Sequence, residues 1–503
     1  MNRAPVPFRL LPLAALSLFA AGCAVGPDYV PPKASATARL SSQPLAAETA
    51  STPVKGGESQ KLVEGGVLPA RWWTLVGNAT LDCWVDEAIA NSPSLDAAEA
   101  TLRQAEANYR AATGSLYPSV SVGAGASRNK ISGAAAGGGF PGSIFNLYDA
   151  SVSVSYALDL WGGVRRGLEG QVAMVEAQRW QSQAAYLTLA GNVVTSAIAL
   201  ASADAQLKTA RDIVAAYDDT VRLVQKRFEL GAGSRADVIG VTARAVQAQA
   251  NVPPLERARV QAANQLAVLL GRYPSEFDAA GFTLESLTLP RELPVSLPST
   301  LLAQRPDIAV AEANLRIASA NVGIAQANRL PSLVLTAQLG TQAGMPKDLF
   351  KEDIWSIGAN ITAPIFDGGR LNAQKKAAVA AYEAADASYR QTVLEAFRDV
   401  ADALAAVDID ARALQAQHQA YALATENYLL TEKRFKAGSA NTLEVRDAKL
   451  SAGLAQQLFV QALAARYANT AALFTALGGE LPVDPTALGG ALPQAEATTT
   501  AAR

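Results

Sequence analysis

A single histidine, two cysteines and three methionines in 503 residues leave little material for metal or redox chemistry. One histidine rules out most histidine-based metal cages, and His418 sits within a helical pattern as a solvated residue. No phosphate-binding GxxxxGK[ST] loop and no HExxH pair occurs. A basic excess is missing as well: the net charge of −2 carries no electrostatic footprint for nucleic acid. Aromatic residues make up only 6%, while alanine dominates the hydrophobic half, a composition that favours long helices over compact cores. Gly231-x-Gly233-x-x-Ala236 superficially matches a dinucleotide fingerprint, but that motif needs a preceding strand and here follows a long helical pattern. No cofactor is expected, and an enzyme reading has nothing to rest on.

What is present begins with an export signal. Arg3 and Arg9 flank a short n-region, and the apolar stretch from Leu10 to Ala21 is too short to span a bilayer. Ala20-Ala21-Gly22-Cys23 resembles the lipobox of bacterial lipoproteins, with Ala20 where leucine is usual. That resemblance implies acylation of Cys23 after removal of a signal peptide at 1–22, and Ala24 implies sorting to the outer membrane. An ordinary signal cut nearby, with an incidental cysteine, is the competing reading. If Cys23 carries lipid, Cys83 stands alone, no internal disulfide is available, and Cys83 is expected as a small buried residue.

Residues 23–70 are rich in Pro, Ala, Ser and Thr and are expected as a lipidated tether; 481–503 are expected as a flexible tail. Between them the chain repeats itself. Pro93, Glu99, Leu102, Arg103, Asn108, Pro118 and Ser119 recur 213 residues later as Pro306, Glu312, Leu315, Arg316, Asn321, Pro331 and Ser332. KRFELGAGSRADV (226–238) returns as KRFKAGSANTLEV (433–445), placing Gly231 and Gly438 207 residues apart. Two copies, at 71–290 and 291–480, each read as helix, two strands, very long helix, corner and helix; a solenoid would need more repeats of shorter period.

The strand segments alternate strictly. Val120, Val122, Ala124 and Ala126 share one face, as do Ala150, Val152, Val154, Tyr156 and Leu158. Leu333, Leu335, Ala337 and Leu339, then Trp355, Ile357, Ala359, Ile361, Ala363 and Ile365, do the same in the second copy. Their alternates are small or polar, the pattern of transmembrane barrel strands. A soluble half-buried sheet alternates identically; the outer-membrane signal and near absence of charge favour the membrane. Four strands cannot close a barrel, and an open edge in lipid leaves unpaired backbone groups, so several chains must pool their strands. No proline interrupts 164–230 or 371–437, and a helix of about 67 residues extends roughly 100 Å. The uncharged stretch 183–203 could pass for a membrane span. Its counterpart in the second copy carries Glu395, Arg398, Asp399 and Asp402, which argues for a helix in water.

AAGCAVGPDYVPP, RWWTLVGNATLDCWVDEAI, LLAQRPDIAVAEANL, RLPSL, APIFDGGR and KRFKAGSANTLEVRDA together resemble the signatures of TolC-like outer-membrane efflux proteins. The lipoprotein branch serving tripartite resistance–nodulation–division (RND) pumps is the nearest likeness. The resemblance implies a mostly α-helical fold with a membrane β-barrel. Three protomers would form a 12-stranded barrel continuing into a periplasmic tunnel, docked through an adaptor to an inner-membrane pump. It implies that Gly231 and Gly438 lie at the adaptor-side tips, and that Glu444 and Asp447, one turn apart, ring the pore constriction. Gly240 stands in the place of Asp447 in the first copy, and Ala440 where some relatives carry a pore-restraining arginine. The expected activity is passive conduction of drugs or other toxic compounds from periplasm to exterior. A type I secretion duct for proteins and a poreless coiled-coil lipoprotein are the alternatives.

Overall fold

The computed structural model describes residues 24–32, 46–66, 68–132, 142–279, 281–295 and 305–478. The expected signal peptide, Cys23, most of the glycine-rich loop at 131–142 and the C-terminal tail lie outside them. The first copy contains α1 (Ala79–Asn91), α2 (Pro93–Thr113), β2 (Ser119–Ile131), β3 (Ser143–Leu158), α3 (Gly163–Glu229), α4 (Arg235–Ala250) and α5 (Val252–Leu269), preceded by β1 (Lys61–Glu64). After β4 (Glu292–Val295), the second contains α6 (Pro306–Ala327), β5 (Ser332–Ala343), β6 (Asp353–Thr362), α7 (Arg370–Lys436) and α8 (Thr442–Leu477). Both long helices have 67 residues, displaced by one position from the sequence expectation. Proline opens α2 and α6, where its missing N–H costs nothing. The chain divides into two compact units, one holding the sheet and one holding both corners.

In the first unit β2, β3, β5 and β6 form an antiparallel sheet in chain order. Its register places Val122 opposite Val152, Val152 opposite Leu339, and Leu339 opposite Trp355. Val120, Val154, Ala337 and Ile357 form the next row, and Leu158, Leu333 and Ile361 another. Directly opposed side chains share a face, so the alternation of each strand becomes one apolar surface. On the other face Ser121, Ser153, Gln338 and Ser356 align. The apolar side lacks cover: Val122 is 81% exposed and Ile357 80%.

The second unit has a buried core where α1, α3, α5, α7 and α8 contribute apolar side chains. Trp72 and Trp73 are fully buried there, edge to face at 6.1 Å, and Trp72 also meets Phe474 at 5.5 Å. They are packing residues. Among the described residues α3 is the one helix long and apolar enough to cross a membrane. Its Val193, Val194, Ala197 and Ile198 are instead buried in this core. Burying each valine or isoleucine among them contributes roughly 1.5–3 kcal/mol, which accounts for its apolar composition without a bilayer.

Three expectations are corrected. Cys83 is exposed, because Leu81, Val85 and Ala88 occupy the buried face of α1 and Cys83 points away from it. His418 is half-buried, its ring 5.7 Å from that of Phe459, rather than fully solvated. Residues 46–66, expected as tether, contain β1, which pairs in parallel with β4. Thr49, Thr52 and Gln60 are buried, and the fully buried Arg466 of α8 donates to the carbonyl oxygens of Ala50 and Glu58. Short polar residues concealed this segment because its stability comes from hydrogen bonds to a distant helix, which leave no periodicity.

Candidate functional site

Each long helix ends in the same corner. Gly231 and Gly438 have φ of 72° and 76°, the left-handed region where a side chain is strained. The Gly231 amide donates to the Phe228 oxygen at 2.9 Å and the Ala232 amide to the Arg227 oxygen at 2.8 Å. Gly438 to Phe435 and Ser439 to Arg434 repeat these bonds at 2.9 and 2.8 Å. This paired closure satisfies the last helical carbonyls. Three residues after each glycine a new helix is capped. The Ser234 hydroxyl accepts from the Asp237 amide at 3.1 Å, and the Asp237 carboxylate accepts from the Ser234 amide at 3.0 Å. The Asn441 side-chain oxygen accepts from the Glu444 amide at 2.9 Å, while Glu444 accepts from the Asn441 amide at 3.3 Å. The recurring acid is therefore the third residue of a reciprocal cap. S-x-x-D and N-x-x-E were legible as caps in the sequence.

Glu444 and Asp447, both exposed, share a face at the start of α8. They differ in engagement. The Glu444 carboxylate also accepts from the Asn441 side-chain amide at 2.7 Å and lies 3.8 Å from the Arg434 guanidinium. No such partner meets the Asp447 carboxylate among the described residues; only its backbone oxygen accepts, from Ser451 at 3.0 Å. In the first corner, hydrogen bonds from the Ser234 hydroxyl and then its amide hold the Asp237 carboxyl below the usual range. A depressed folded value makes this cap's stabilisation present above the unfolded pKa, about 3.9. It disappears as pH falls through the lower folded value. Protection of the amides at 234–238 should accordingly hold at pH 5 and be lost as pH falls below the unfolded value of about 3.9; protection unchanged down to pH 2 would exclude this coupling.

The long helices start on comparable devices. Asp159 accepts from the amides of Val164 and Arg165 at 3.1 and 3.0 Å. Asp367 accepts from those of Leu371 and Gly369 at 2.9 and 3.0 Å. These backbone donors, Leu371 foremost, lower the Asp367 pKa.

The described residues hold no cluster of three or more potential metal ligands. The arrangement is one of surfaces and corners: an uncovered apolar strand face, and two helix turns bearing acids. The sequence profile of the outer membrane efflux protein family matches residues 84–272 and 297–479. The chain belongs to that family. The pyoverdine export outer membrane protein OpmQ of Pseudomonas aeruginosa PAO1 is 32% identical over 413 residues, covering 81% of this chain and 87% of OpmQ. The probable outer membrane lipoprotein SilC of Salmonella typhimurium is 29% identical, over 78% of this chain and 85% of its own. Among solved structures, the outer-membrane channel OprN superimposes with a TM-score of 0.78 at 27% identity, covering 91% of this chain and 99% of OprN.

This outer membrane efflux protein is thus a mostly helical outer-membrane channel component, in a family of channels rather than enzymes. Its signature LLAQRPDI has a structural reason at Arg305, which is nearly buried and donates to the Ala476 oxygen at 2.8 Å in the last turn of α8. The same guanidinium binds Asp307 at 2.7 Å and Asp399 at 3.4 Å. Sequence reasoning missed this clamp, because it joins residues far apart in the chain.

Proposed function

We propose that three copies of this efflux protein pool their strands into one closed barrel and form the exit duct of a tripartite pump. The carrying observation is the uncovered apolar face on a sheet whose outer strands, β2 and β6, each have one edge unpaired among the described residues. Lipid tolerates no open strand edge, and the smallest bacterial barrels have about eight strands. Three four-stranded sheets give twelve. The long helices continue as a periplasmic tunnel, and the corners at Gly231 and Gly438 face a periplasmic adaptor joined to an inner-membrane RND pump. Leu230 and Ile239, exposed beside the first corner, suit such a contact. Cys23 carries the acyl anchor, in keeping with the lipoprotein name of SilC. Glu444 and Asp447 stand at the constriction, and drugs or other toxic compounds pass without energy input from the duct itself.

Purified in mild detergent, the protein should sediment as a trimer and give discrete single-channel conductance in planar bilayers. A conducting monomer would overturn the pooled barrel; a trimer without conductance would leave the poreless lipoprotein as the better reading.

A further inference from the structure

The nine residues after Cys23, expected as the start of a tether, are docked within the first unit. The Val25 amide donates to the Trp161 oxygen at 2.9 Å, in the short junction between β3 and α3. The Val25 oxygen accepts from Arg166 at 3.4 Å, and the same guanidinium binds Asp28 at 2.6 Å and Glu169 at 2.8 Å. The Arg166 side chain is only 8% exposed, whereas the Asp28 carboxylate is 91% exposed, so water screens that ion pair and the buried guanidinium is the anchoring half. Gly26 has φ of 105°, and a Cβ there would lie 2.5 Å from the Gly323 Cα on α6. Position 26 therefore takes only glycine, and a Cβ on Gly323 would meet the Arg166 Cγ at 2.8 Å. Further along, the Tyr29 hydroxyl donates to Glu312 at 3.1 Å, and its ring lies 5.3 Å beneath the Arg316 guanidinium. Arg316 bridges Glu312 and Glu176 at 3.0 and 2.7 Å, tying α6 to α3 under the segment. Burial and then Glu312 push the Tyr29 pKa up, which keeps the hydroxyl a donor.

The docking site also has a defined level along the strands. The Trp161 indole donates to the Pro331 oxygen at 2.6 Å, one residue before β5 begins. Leu158, Leu333 and Ile361 form the apolar row nearest this end. Tyr117 and Phe366, 70% and 91% exposed, flank the same ends of β2 and β6. Aromatic side chains at strand ends mark the border of a membrane-facing band.

We propose that residues 24–29 are a clasp that fixes the acyl chains of Cys23 at the border of the apolar strand band. The proposal rests on the lipoprotein reading of Cys23. One peptide separates that cysteine from Ala24, about 3.8 Å between Cα atoms, and a Cβ on Gly162 would meet the Ala24 Cα at 2.6 Å. The lipid is accordingly delivered at one depth, beside the strands, rather than on a long leash. The slot, not the lipid, holds the segment.

Amide exchange of peptide 24–30 in the full-length protein tests this, with incorporation of a fatty-acid analogue measured in parallel and α7 exchange as the fold control. In the wild type and in Cys23→Ser, the Val25 amide should exchange at least about tenfold slower than in an unstructured peptide. Gly26→Val should lose that protection while keeping the acyl label, and the milder Asp28→Ala should lose part of it. Free exchange in the wild type, or protection lost in Cys23→Ser, would overturn the clasp. A wild type that takes up no label overturns the anchor, and continued protection in that same sample would show that the docking itself is sound.

Discussion

Asp447→Asn is expected to remove most of the channel's cation preference and its block by trivalent cations, whereas Glu444→Gln leaves both close to wild type. Both acids lie on one exposed face of α8, and a ring of carboxylates round a narrow pore attracts cations. Their partners separate them. Glu444 is held by the Asn441 amide and side chain and faces Arg434 at 3.8 Å. Its charge is therefore partly offset, and its oxygens are turned toward the helix start. The Asp447 carboxylate meets no such donor among the described residues. Glutamine at the third helical position can accept the same capping bond, so Glu444→Gln should keep the corner folded. Bilayer recordings of both single variants and the double variant decide between the outcomes. Equal losses in the two single variants would mean that the Glu444 charge acts on passing ions as strongly as that of Asp447, despite its partners. A double variant indistinguishable from wild type would reduce both acids to a solvated helix face.

Ile357→Arg should abolish recovery of the protein as a heat-resistant trimer in the outer-membrane fraction, while Ser356→Arg, one residue away, is tolerated. Successive strand residues point to opposite faces. Ile357 stands in the apolar row with Ala337, Val154 and Val120, and Ser356 in the row with Gln338, Ser153 and Ser121. An arginine on the lipid face near the bilayer midplane costs about 2–4 kcal/mol, and the other face of a barrel accepts charge. In the proposed trimer, three copies would multiply the cost. Similar yields of both variants would show that the apolar face does not meet lipid, leaving a soluble half-buried sheet.

Local rules made much of this legible. A proline marks each early helix start, alternation marks the strands, and the recurrence of KRF and glycine marks the corners. Each is a short-range consequence of backbone sterics or side-chain direction, so the residues themselves carry it. The acid after each corner was visible too. Its proximity to Asp447 and the family resemblance drew attention to a pore, although S-x-x-D and N-x-x-E already specify a cap within four residues.

By itself the sequence determined the order of the long helices and of β2, β3, β5 and β6, both helix corners and the apolar side of those four strands, because turn chemistry and periodicities of 2 and 3.6 act within a few residues. Only the tertiary structure decided that residues 46–66 and 24–32 are docked. Arg466 reaches the carbonyl oxygens of Ala50 and Glu58, and Arg166 reaches Asp28, across more than a hundred residues of chain. Likewise, Cys83 was assigned to the interior by residue type, but which side of α1 meets the core placed it outside. Long-range hydrogen bonds to short polar segments leave no period behind them, and the burial of one side chain depends on the helix facing it. These features exist only once the distant partners have met.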